Sequence, residues 1–323
     1  MPFAEVSTLL DPLFSDIRDK EPFWIRKPLL AHYTSISTLE SIVRNREVWF
    51  SNPLLMNDHE EMRFGIGNGV RAIREASDVS IALETEERRE RFRHYIEFIL
   101  QDFDEKHLLD VYVFCLSEHE KGDTDGRLSM WRGYGSDGNG AAIVFDTSKL
   151  VPPHDGPLML DSVHYASNED RTNWLGNLVA RFAELLASQH VPDDDLFNAA
   201  HILLNRIILF SLFTKHVGFR EEREWRAVYL PAYDTKKLFP PFFGHHIAGN
   251  RVEPKLKFLV RPIEGLTGPD ASLEKLVHSI ILGPTASVPM TRRSIERMLE
   301  LLGAKELKSK VAASTIPYRA LAR

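Results

Sequence analysis

The sequence predicts an α+β protein with helical insertions. Strand-like segments rich in β-branched and aromatic residues recur from Leu29 to Leu282, they lack the steady strand-helix alternation of a doubly wound fold, and two helical stretches interrupt them.

The first strand is Leu29-Leu30-Ala31, running into the polar His32-Tyr33-Thr34-Ser35. Ser37 with Glu40 has the spacing of a capping box, and Leu39, Ile42 and Val43 give a short helix one apolar face. Glu47 to Phe50 reads as a second strand, closed by Ser51-Asn52-Pro53. Residues 58 to 107 are charged and helical, with Phe92, Ile96, Ile99 and Phe103 on one stripe of the stretch Glu86 to Lys106. Val111 to Ser117 is apolar enough for a buried strand. Leu128 to Tyr134 gives one or two helical turns, and after a glycine-rich turn comes the strand Ala141 to Phe145. Helices follow at about Arg171 to Ser188 and Asp194 to Phe213, then the strand Glu224 to Leu230. A loop with Pro and His precedes strands at Lys255 to Val260 and Val277 to Leu282, and a helix over Thr291 to Leu302 ends at Gly303.

At 323 residues the chain is about twice the usual domain length. The surplus is assigned to insertions at about 58–107 and 166–218 in a single domain, 1–323, whose core runs from about 29. With 46 acidic and 40 basic residues the net charge is -6, which excludes a broad cationic footprint for duplex DNA. One cysteine, Cys115, excludes an internal disulfide framework and any multi-cysteine metal site, and implies a cytoplasmic protein. Met1 to Phe14 carries Glu5 and Asp11 without a basic region, so no signal peptide is expected. Ile202 to Phe213 is too short for about 30 Å of hydrocarbon and is expected to be a buried helix, with no membrane partner.

Several motifs fail on context. Gly133-x-Gly135-x-x-Gly138 matches a dinucleotide fingerprint, but a helix precedes it and a strand follows, the reverse of what the pyrophosphate needs. Tyr134 stands where a nucleophile elbow needs glycine. His59-Glu60-Glu61 lacks a second histidine, Asp123 to Gly126 is too short for a calcium loop, and His245-His246 reads as an exposed loop pair; no metal is expected.

Three polar clusters remain: His32 to Ser35; Ser129-x-Trp131-x-x-Tyr134, whose aromatics are three apart on one helical face; and Glu222-x-Glu224-x-Arg226, which strand alternation places on one face. These words, with Trp49 to Pro53, Met56-Asn57-Asp58-x-x-Glu61, Phe114 to Ser117, Gly140 to Asp146 and Ile280 to Pro284, resemble a large, mostly bacterial family known as domain of unknown function twenty-nine seventy-one. A strand ending in His-x-Thr, a second ending near Ser and a later Glu-x-Glu are also similar to ADP-ribosyltransferases. That likeness implies an ADP-ribosyltransferase-like split β-sheet core with helical insertions, and NAD as substrate.

Under this resemblance the protein is an NAD-dependent enzyme, a bacterial toxin or phage-defence effector, that cleaves the nicotinamide-ribose bond and modifies an unknown protein or nucleic-acid acceptor. Cleavage builds positive charge on the ribose, which Glu224 would stabilise, while Glu222 would take the acceptor's proton. His32 would hold the adenosine ribose with Thr34 or Ser35, near Ser51. Trp131 or Tyr134 would stack on nicotinamide, and Arg226 would either clamp the pyrophosphate or neutralise the glutamates. The alternative is a noncatalytic nucleotide-binding or sensor module of a defence system. A gathering of Arg44, Arg46, Lys215 and Arg220 at the cleft would bring nucleic acid back as a target.

Overall fold

A computed structural model describes residues 3–56, 59–103, 108–150 and 156–318. Asn57 and Asp58, which form part of one family word, and Lys106, the end of one expected helix, lie outside the described residues. Contacts divide the chain into two compact units. One comprises Met1–Glu21, Asn52–Val111 and Val163–Phe219; the other comprises Pro22–Ser51, Tyr112–Ser162 and Arg220–Arg323.

The first unit is helical and contains both expected insertions. Its long helices are His59–Glu75, Glu86–Asp102, Asn168–Ser188 and Leu196–Phe213. The stripe read from the sequence is buried: Phe92, Ile96 and Ile99 pack with Leu175, Phe182, Leu203 and Ile207. Phe92 stacks on Phe182 at 5.7 Å between ring centroids. The segment Asp193–Phe213 is long and apolar enough to cross a membrane by length and composition, yet 72% of its apolar window is buried inside the protein. Arg206, within its apolar part, donates to the Leu13 carbonyl at 2.9 Å and to the Asp16 carboxylate at 2.5 Å.

The second unit is built on a sheet. In chain order the strands of the whole protein are β1 (Leu29–Thr34), β2 (Glu47–Ser51), β3 (Tyr112–His119), β4 (Ala141–Asp146), β5 (Leu158–Ser162), β6 (His164–Ala166), β7 (Thr214–His216), β8 (Glu224–Tyr229), β9 (Phe243–Ala248), β10 (Arg251–Leu259), β11 (Val277–Leu282) and β12 (Val311–Ala313). All but β6 and β7 form one sheet in the order β12-β11-β4-β1-β3-β2-β10-β9, with β8 and then β5 branching from β3. Its pairings are antiparallel except β11 with β12. The α+β class read from the sequence is therefore present, with a mostly antiparallel sheet.

Strand β3 is where the sheet forks. One edge pairs β8 from Tyr112 to Ser117. The other edge pairs β1 at Ser117–His119 and β2 at Val113, so its register leaves Phe114 to Leu116 without a strand on that side. The sheet buries both faces. On one, Leu30, Phe50, Phe114, Leu116, Ile143 and Trp225 pack under Leu39, Ile42 and Val43 of the helix Ile36–Asn45. On the other, Leu29, Ala31, Tyr33, Ala142 and Val144 meet Met130 and Trp131.

Local signals differ from expectation in two places. The cap of Ile36–Asn45 is Ser35, whose Oγ accepts from the Thr38 N–H at 3.1 Å, and Glu40 pairs with Arg44, so Ser37 and Glu40 form no capping box. The loop expected before Lys255 is a hairpin of β9 and β10, and His245 and His246 lie exposed on its outer strand, not in a loop. The glycine-rich segment is a turn, as expected. Ser136, Asp137 and Gly138 have φ of 50°, 52° and 83°, and Gly140 passes so close to β1 that a Cβ there would meet the Thr34 carbonyl oxygen at 2.1 Å.

Candidate functional site

The functional residues proposed from sequence all lie in the sheet unit, and register decides which of them share a face. Ala31 pairs with Ser117, and Ser117 pairs with Glu224. Directly opposed residues share a face, so Ala31, Ser117 and Glu224 form one row, and Cys115 with Arg226 lies on the same side. His32 follows the other parity. Its ring stands 4.5 Å from that of Phe114 on the face that carries Leu116 and Trp225. His32 and Glu224 therefore project to opposite faces, and the single cleft expected to hold both does not form.

His32 occupies the fork. Its Nδ1–H donates to the Cys115 carbonyl at 3.1 Å, on the β3 edge that no strand covers, which fixes the tautomer and leaves Nε2 as an acceptor. Burial pushes its pKa below the usual 6.5, so the ring is neutral at physiological pH. Two of its three expected partners are already engaged. Thr34 is buried at the end of β1, Ser35 caps the helix, and Ser51 Oγ accepts from Lys255 Nζ at 2.8 Å.

The opposite face carries the acidic residues. Glu224 and Arg226, two apart on β8, form a two-point pair with Nε to Oε1 at 2.8 Å and Nη2 to Oε2 at 3.1 Å. Both are buried, and the pair sets the Arg226 charge against that of Glu224. Glu222 does not extend this strand face. It ends a 3₁₀ segment, Val217–Glu222, and Arg223 at φ 42° breaks the alternation before β8 begins. Its carbonyl accepts from Ser117 Oγ at 2.6 Å, and its half-buried carboxylate accepts from Tyr134 Oη at 3.1 Å.

The helix Leu128–Gly133 sets that contact. Trp131 is fully buried, donating Nε1–H to the Asp125 carbonyl at 2.8 Å and meeting Tyr33 edge-on at 4.8 Å. Tyr33 in turn accepts from the Arg127 N–H at 2.9 Å, and burial pushes its phenol up to about 12, so it stays protonated. Trp131 is therefore core and has no face to offer nicotinamide. The shared aromatic face fails because the helix stops at Gly133: Tyr134 has left helical geometry, with φ −128° and ψ −19°, and its side chain is 41% exposed.

Beside this pair lies a feature that sequence reasoning missed. Arg127, Leu128 and Ser129 at the start of the helix, with Arg220, Glu221 and Arg223, line a cleft of about 600 Å³. The three arginines come from segments 93 residues apart, and no local pattern joins them. Of the basic residues considered for a nucleic-acid surface, Arg44 pairs with Glu40, Arg46 pairs with Glu274 and Lys215 is buried in the helical unit; only Arg220 reaches the cleft. Among the described residues no group of three His, Cys, Asp or Glu side chains is placed to hold a metal ion.

Fold and site together define a mixed α+β protein whose sheet unit presents a tyrosine-carboxylate pair at its surface. Over residues 130–227 the chain matches the family described as Protein of unknown function (DUF2971). The matched segment is less than a third of the chain and contains Tyr134, Glu222, Glu224 and Arg226, whereas His32 and Ser51 lie outside it. Nothing among curated proteins or solved structures matches the chain.

Proposed function

We propose that the sheet unit is a nucleotide-binding module, with NAD the first ligand to test, and that it binds over the Tyr134–Glu222 pair. The observation that carries this reading is an exposed phenol ring held by its hydroxyl against a half-buried carboxylate. A tyrosine ring is suited to stack on a base, and a carboxylate is suited to accept from ribose hydroxyls. The His32 fork belongs to the other face and takes no part.

The same pair favours a second reading, the ADP-ribosyl transfer implied by resemblance, with Glu222 in the role first given to Glu224. Glu222 faces the surface, whereas both Glu224 oxygens are occupied by Arg226. A carboxylate stabilises a ribosyl cation only when it can approach C1 of the sugar, and the half-buried Glu222 is better exposed for this than the buried Glu224.

Thermal shift with NAD, ATP and adenosine, paired with assay of nicotinamide release, separates the readings. Binding without release supports the module; release that disappears in Glu222→Gln and survives in Glu222→Asp supports the enzyme. Absence of a shift with every nucleotide rejects both.

A further inference from the structure

We infer that the arginine cleft beside Tyr134–Glu222 is a phosphoryl-binding site, so that the ligand is a nucleotide carrying phosphate and not a free nucleoside or base. The inference deepens the nucleotide reading, from which it takes the sugar and base.

The argument rests on how the guanidinium groups are held. Arg223 Nη1 donates to Glu120 Oε1 at 2.7 Å. Arg127 Nη2 donates to the Glu118 carbonyl at 3.1 Å and lies 3.8 Å from the same Glu120 oxygen. One carboxylate thus ties two of the lining arginines together while neutralising one charge. Arg220 is exposed, lines the same cleft and has no acidic partner among the described residues. The Arg223 N–H donates to the Arg220 carbonyl at 3.3 Å, which closes the turn that brings these two side chains to one cleft.

A guanidinium carries five N–H donors, and the contacts above use few of them. Surplus donors from three arginines, with Ser129 also in the lining, suit an anion with several oxygens spread in three dimensions. A planar carboxylate has only two oxygens to offer, while a phosphoryl group can meet donors from more than one side. Glu221 in the lining and Glu120, paired with Arg223, keep the net charge low. That favours a small anion seated in the cleft over a long polyanion laid across it, and the net charge of -6 agrees. Arg220 and Arg223 flank Glu222 in sequence, so a phosphate in the cleft lies beside the carboxylate assigned to the ribose.

Titration of the full chain with inorganic pyrophosphate tests this. The expected result is saturable 1:1 binding, weakened roughly tenfold in Arg220→Gln and further in Arg127→Gln, with Arg220→Gln melting as the parent does because its side chain is exposed and unpaired. Tyr134→Ala should retain pyrophosphate binding while losing affinity for the whole nucleotide. No saturable binding, equal affinity for sulfate, or an unchanged Kd in Arg220→Gln would overturn the inference. A single-stranded oligonucleotide that displaces pyrophosphate more strongly than a mononucleotide would also overturn it, by making the cleft a backbone contact. Pyrophosphate binding with no response to any nucleotide upholds the phosphoryl site and removes the reading it deepens.

Discussion

Glu224 and Arg226 hold each other through two hydrogen bonds of 2.8 and 3.1 Å on one face of β8, with side chains 5% and 4% exposed. A buried pair of this kind is costly to break from one side, because the remaining charge is stranded away from water. Arg226→Met is expected to lower the unfolding free energy by about 3–5 kcal/mol in urea titration, and Glu224→Leu combined with Arg226→Met to recover much of that loss. A loss near zero in the single variant would show that the pair does not hold the fold. Glu224→Gln is thus a test of stability before it is a test of chemistry.

His32 should make stability depend on pH. Burial lowers its pKa in the folded protein below the ordinary 6.5, so the unfolded chain takes up a proton that the folded ring resists. The contribution is full above 6.5 and is lost as pH falls through that value, with a slope of at most about 1.4 kcal/mol per pH unit for one group. His32→Asn, which keeps a donor for the Cys115 carbonyl, should flatten the difference in urea midpoint between pH 8 and pH 5.5 relative to the parent, within about those bounds. An unaltered pH profile would place the titration elsewhere.

Gly140→Ala should destabilise the sheet unit. The added methyl would stand 2.1 Å from the Thr34 carbonyl oxygen and 2.8 Å from that of Gly135, both backbone atoms that cannot swing aside. A loss of about 1–3 kcal/mol, read as a lower Tm, is expected from such overpacking, and an unchanged Tm would contradict the close approach of β1 to the turn.

Much of the sheet was legible in the sequence because apolar, β-branched runs such as Tyr112–His119 and Val277–Leu282 permit little else. The short strands Leu158–Ser162 and Val311–Ala313 were not, since they owe their form to neighbours distant in sequence. The site was read less well for a related reason. Alternation along Glu222-x-Glu224-x-Arg226 holds only within a continuous strand, and the left-handed Arg223 removes Glu222 from it. Likewise the shared face of Trp131 and Tyr134 required a helix that continues past Gly133. Whether His32 and Glu224 share a face is set by the pairing of β1, β3 and β8, which no single segment encodes.

The central claim is that ligand binds over Tyr134 and Glu222 and not at the His32 fork. Isothermal titration of NAD into the parent, Tyr134→Ala and His32→Asn proteins tests it most directly. The account predicts roughly tenfold weaker binding, about 1.4 kcal/mol, in Tyr134→Ala and an affinity within about twofold of the parent in His32→Asn. Loss of binding in His32→Asn with affinity retained in Tyr134→Ala would contradict it.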